Sequence, residues 1–278
     1  MKRFRPAVSR ILAGMVGAFI LSGTTTICNA EMMQPRRLVD GHTAGVLPKS
    51  YYDLECRVYA AGDPDLGSGL MLGMAVGLTD RLTLGVMYGG EGLIGRSRDV
   101  RFNPLPGVLI KYRLFEERVI TPGLSLGYDH QGYGGIADTS LFDYNGFVYK
   151  SPGFFVALSK NYIMLNLIQV GFHGTINYSM EERENVNWPN FSTGMDLGIN
   201  DELSFVVEYD LALNDRGIKE EKYYALPYMG LLNAGLRWAF SPSFHLEFDL
   251  KDLLENKRRG IESQGWSREL KLLYYSHF

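Results

Sequence analysis

Two carboxylates spaced two residues apart, Glu208 and Asp210, are echoed by Glu247 and Asp249, and Arg237 falls in the segment between them. At that spacing both carboxylates of a pair share one face of an extended strand. There they could hold a cation or divide acid and base roles, but an arginine within reach favours ion pairing. The same spacing gives Asp53, Glu55 and Arg57 near the start of the chain, Lys111 and Arg113 further on, and Glu269 and Lys271 near the end. Other chemistry has weaker support. His42, His130, His173, His245 and His277 are scattered and lie in no serine-hydrolase context, and Ser276 and His277 would point to opposite faces of a strand. No catalytic residue is assigned, so the reading is non-enzymatic, with a rim or lumen hydrolase as the weaker alternative. The acids of Asp63-Pro64-Asp65 and of Glu181 to Glu184 read as solvated loop residues, and no metal or cofactor is expected.

The elements that must position these charges are strands. From residue 50 onward a period of two runs through about twelve segments. Leu54, Cys56 and Val58 oppose Asp53, Glu55 and Arg57 in the first of them. Leu203, Phe205 and Val207 oppose Ser204 and Glu208, and Leu270, Leu272 and Tyr274 oppose Glu269 and Lys271 in the last. The phase is muddled at Ile168 to Phe172, where a bulge is expected. Five connections read as tight: Thr79 to Arg81, Phe115 to Arg118, Ser159 to Tyr162, Asn200 to Glu202, and Ser241 to Ser243. They alternate mostly with long polar loops. Short turns at one end and long loops at the other are what an up-and-down antiparallel barrel in an outer membrane requires.

The amino terminus supports export. Lys2, Arg3, Arg5 and Arg10 precede an apolar run from Ile11 to Leu21 and a polar tail ending at Ala30, the pattern of a cleaved signal peptide. Removing those thirty residues, which carry four basic and no acidic side chains, leaves 248 residues with a formal charge of −7 in place of −3. Cys56 is then the one cysteine, so neither an internal disulfide nor a cysteine-rich metal site can form. Mild acidity without a basic block argues against a nucleic-acid partner. The expected organisation is residues 1–30 as signal peptide, 31–49 as a periplasmic lead-in, and 50–278 as an all-β outer-membrane barrel with both termini periplasmic.

Aromatic residues support lipid contact. Tyr52, Tyr112, Phe115, Phe240, Phe244, Tyr274 and Phe278 would mark the periplasmic rim, and Tyr88, Tyr128, Phe172 and Tyr209 the outer rim. The last strand, ending in Tyr274 and Phe278, resembles the carboxy-terminal signal recognised by barrel-assembly machinery, which makes that machinery and outer-membrane lipid the expected partners. The segments GLTDRLTLGVMYGGEGLIG and FNPLPGVLIKYRLFEE resemble those of bacterial outer-membrane barrels and, more loosely, YjbH-type barrels associated with exopolysaccharide. The resemblance implies an envelope location and a link with surface polysaccharide or an envelope protein. The inward charges then have two uses: a cross-linked network filling a structural barrel, or a narrow pore in which Glu208, Asp210, Glu247 and Asp249 favour cations.

Overall fold

A computed structural model describes residues 34–60, 67–95, 99–135, 147–150, 152–164, 168–180, 189–213, 230–255 and 266–278. The signal peptide and its Ala30 cleavage site lie outside the described residues. The strands are β1 (Tyr51–Ala60), β2 (Ser68–Thr79), β3 (Leu82–Ile94), β4 (Arg101–Phe102), β5 (Gly107–Phe115), β6 (Gly123–Asp129), β7 (Tyr133–Gly135), β8 (Phe147–Lys150), β9 (Gly153–Met164), β10 (Ile168–Ser179), β11 (Asn190–Gly198), β12 (Leu203–Asp210), β13 (Leu231–Ala239), β14 (Phe244–Lys251) and β15 (Ser267–His277).

Twelve of these are staves of one closed antiparallel barrel. Each pairs with its sequence neighbour, and β1 closes the ring on β15 from Tyr51↔His277 to Tyr59↔Glu269. The short β4 extends the pairing of β3, and β7 and β8 form a separate ribbon within the β6–β9 connection. Closure matters because it leaves no strand edge unpaired, a condition for crossing lipid.

Residue period decides which way the barrel faces. On β1 and β2, Leu54 and Leu72 are 44% and 57% exposed, whereas Asp53 and Arg57 are each 1% exposed. The apolar face is outside and the charged face inside, the inverse of a soluble barrel and the architecture of an outer-membrane barrel. Rings gather at both ends of that outer surface. Phe244 and Tyr274 approach to 4.8 Å near the short turns, where Tyr52 lies 6.4 Å from Phe278. At the other end Tyr128 lies 4.8 Å from Phe154, and Tyr88 stacks on Phe102.

Several local expectations change. Residues Ser159 to Tyr162 continue β9, which runs on to Met164, and β10 begins at Ile168. The polar run that resembled a turn is a strand whose Ser159 faces the interior and whose Lys160 and Asn161 bind Glu117 at the rim. Phe172 therefore lies in the half nearer the short turns, beside Tyr162, while Tyr178 sits farther toward the long-loop end. The β10 register is unbroken through Phe172, because His173 and Thr175 are ordinary inward residues of the alternation. Register shifts occur instead at Ser68/Leu70, Gly77/Thr79 and Arg113/Phe115. The β5–β6 connection runs on past Arg118 to Pro122, which leaves Ile120 88% exposed in a loop.

Candidate functional site

The largest departure concerns residues 34–49. They were expected as a periplasmic lead-in, yet they run inside the barrel. Leu38 N–H donates to Gly41 C=O at 2.8 Å, Thr43 N–H donates to Arg36 C=O at 3.2 Å, and Arg37 faces His42 in an antiparallel bridge. The result is a small hairpin with its turn at Leu38–Gly41. Its two ends lie at the short-turn rim. Gln34 donates to Glu117 at 3.3 Å, and Lys49 N–H donates to Asp80 at 3.0 Å, both acceptors lying in short connections.

The inward faces of the staves hold this hairpin by its backbone. At the tip, Asp40 and Gly41 N–H both donate to Glu208, at 3.0 and 2.8 Å, and the Arg237 guanidinium donates to the carbonyls of Arg37 and Leu38. Lys271 donates to Val39 C=O at 2.9 Å, and Lys251 pairs with Asp40 at 2.9 Å. Lower down, Lys111 donates to Arg36 C=O at 2.9 Å, Ser125 to Thr43 C=O at 3.1 Å, and Thr175 to His42 C=O. A backbone segment without its own sheet must satisfy its polar groups somewhere, and here lumen side chains do so. Apolar contacts add to this: Leu38 and Val39 pack on Val206, the His42 ring stacks on Phe155 at 3.7 Å, and Ala44, Val46 and Leu47 are buried.

Charge follows the same plan. Arg36 pairs with Asp53, and Arg37 lies 3.1 Å from Asp129 and 3.9 Å from Glu55. Asp129 also pairs with Lys150. A second cluster joins wall residues to one another. Lys271 reaches Glu247 and Asp249 at 2.7 Å and Glu269 at 3.4 Å, while Arg57 reaches Glu55 at 2.7 Å and Glu269 at 3.3 Å. Arg237 pairs with Glu247.

Ten of the twelve charged residues picked from the sequence thus meet around the hairpin or in the adjoining cluster: Asp53, Glu55, Arg57, Lys111, Glu208, Arg237, Glu247, Asp249, Glu269 and Lys271. Two do not. Arg113 stays at the rim, 3.6 Å from Glu116 and donating to Asp80 C=O, and Asp210 sits at the long-loop end accepting from Asn190 and Ala212 N–H. Of the acids expected around Arg237, Glu247 is the one it pairs with, while Glu208 is taken up by hairpin amides.

Sequence reasoning missed Arg36, Arg37, Asp40, Asp129 and Lys150, and it missed one row of neighbours. Ser159 Oγ lies 2.7 Å from His173 Nδ1, and His173 Nε2 lies 2.5 Å from Asp196, across β9, β10 and β11. The order is that of a nucleophile, base and orienter. Its surroundings give it another use: Ser159 is 2% exposed, and its oxygen accepts Ala44 N–H at 2.7 Å. The row is a latch on the hairpin, built where Gly171 leaves room for the Asp196 carboxylate.

The opposite wall is different. Gly73 and Ala75 on β2, Gly85 on β3 and Gly107 on β5 help line a gap beside Arg36 and Arg37 with room for about one water. Tyr59, Met71 and Met87 cluster beside it.

No family model and no curated protein matches the chain. Among solved structures it is similar to the KdgM porin, at 7% identity over 82% of this chain and 99% of that one with a TM-score of 0.46. It is also similar to Omp33 of Acinetobacter baumannii, at 8% identity over 83% and 99% with a TM-score of 0.44. LpxR from Salmonella typhimurium gives 13% identity over 82% and 100% with a TM-score of 0.42. Likeness at this level carries no residue, ligand or activity to this chain.

Proposed function

We propose that the protein is a non-enzymatic barrel of the bacterial outer membrane whose interior is closed by its own amino-terminal hairpin. The observation that carries this reading is the hairpin's backbone, bound from strands around the ring by Glu208, Arg237, Lys271, Lys111, Ser125 and Thr175. Six side chains committed to one segment's amides and carbonyls favour a stopper over a chance occupant. The resemblance to exopolysaccharide-associated barrels supports a role in surface polysaccharide or envelope assembly, with barrel-assembly machinery placing the chain in lipid.

Two measurements test this. The protein extracted from outer membranes should migrate faster unheated than heated, and recovery from the soluble periplasm would remove the membrane reading. In planar bilayers the intact protein should show no steady current; a constantly open pore would remove the closed one. A second reading, a narrow conduit, is favoured by the excess of acid on the wall.

A further inference from the structure

Among the described residues, the barrel wall and its extensions carry nine buried carboxylates but five buried lysines and arginines, with Arg237 partly buried as a sixth. The hairpin makes up part of the deficit. It brings Arg36 and Arg37 against Asp53, Glu55 and Asp129, while its own acid, Asp40, is held by Lys251. The stopper is therefore also the counter-charge of the lumen.

We propose that the hairpin is retractable and that its withdrawal opens a path for small cations along the wall formed by Gly73, Ala75, Gly85 and Gly107. This rests on reading the hairpin as the barrel's closure. Three features carry it further. Both ends of the hairpin lie at the short-turn rim, so it can leave without threading. Its backbone is held by hydrogen bonds and its arginines by ion pairs, contacts that water can replace, and the apolar surface it would expose on leaving is that of Leu38, Val39, Ala44, Val46 and Leu47. A gap with room for about one water already lies between Arg36 and Arg37 and the small residues of that wall. Once Arg36 departs, Asp53 faces that gap without its ion-pair partner, and a buried unpaired carboxylate draws in water and cations.

A reversible tether tests the proposal. A Cβ built on Gly123 lies 3.3 Å from the Ala44 Cβ, close to the roughly 3.5–4.5 Å that a disulfide spans. Ala44→Cys with Gly123→Cys, in a Cys56→Ser background, should be silent in planar bilayers when oxidised and should open in steps when reduced. Arg36→Ala with Arg37→Ala should raise open probability by about tenfold, the factor that 1.4 kcal/mol of lost holding energy gives. Under a KCl gradient the reversal potential should fall on the cation side and move toward zero in Asp53→Asn. As a second variant, residues 35–47 are replaced by a short Gly-Ser linker, with heat-modifiable migration to establish folding. Silence of that folded variant, equal currents in the oxidised and reduced tethered protein, or anion selectivity overturns the conduit. Steady current through the oxidised, tethered protein overturns the closure reading itself, so the two failures are distinct.

Discussion

The wall of β12 to β15 and the wall of β2, β3 and β5 face the same hairpin and treat it oppositely. The first presents long charged side chains, Glu208, Arg237, Lys251 and Lys271, that grip the tip. The second sets Gly73, Ala75, Gly85 and Gly107 among Met71, Met87 and Leu109, leaves a gap beside Arg36 and Arg37, and, among the described residues, bonds the segment only through Thr83 and Lys111. The segment is thus gripped by charge at its tip and held more loosely beside its arginines, which is the asymmetry a removable part needs. A constitutive cork would be packed to interior density all round.

Substituting comparable residues on the two walls can break this contrast. The largest effect is expected for Lys271→Met, which takes from Asp249 its ion-pair partner and from Glu247 and Glu269 one of theirs, and should lower unfolding stability by about 3–5 kcal/mol. Lys111→Met on the loose side removes a hydrogen bond to Arg36 C=O and should cost only about 1 kcal/mol. Urea unfolding in lipid vesicles followed by tryptophan fluorescence measures both; equal losses would erase the distinction. Next in size is a pair of glycines. A methyl group at Gly235 would press on the Asp249 carboxylate, itself held by Lys271, so Gly235→Ala should cost about 1–3 kcal/mol. At Gly73 the nearest atom is the Met87 methyl at 2.7 Å, a flexible end that can swing aside, so Gly73→Ala should cost less than about 1 kcal/mol. A larger loss at Gly73 than at Gly235 would show that the loose wall is tight. The smallest effect is expected for Ser159→Ala, about 1 kcal/mol, read as faster hydrogen exchange at Ala44 N–H with the barrel amides unchanged. Unchanged exchange at Ala44 would show that the row does not latch the hairpin.

Much of the barrel was legible in the sequence because period two is a strong signal: Leu54 against Asp53 and Leu272 against Lys271 identify both the strand and its face. The closure of β1 on β15 followed from strand number. The hairpin was not legible, because residues 34–49 have no periodicity and their partners are spread over more than two hundred positions, from Asp53 to Lys271. Asp40-Gly41 was a turn signal, and the inward acids around Asp53 lacked enough cations, but neither says that the missing charge lies upstream of the barrel. The Ser159 row was hidden by the misplaced turn at Ser159 to Tyr162, which put the serine in a loop and away from His173.

The hairpin's bonds also set an order of events in assembly. Val39 meets Lys271 across 232 positions, and Gly41 meets Glu208 across 167. The segment emerges from synthesis ahead of every strand, yet its partners exist only once the late strands are in the ring. Contacts of such long sequence separation form slowly. Among the described residues, the first to be made are the last to find their partners, and until then the two arginines travel without the carboxylates that later receive them.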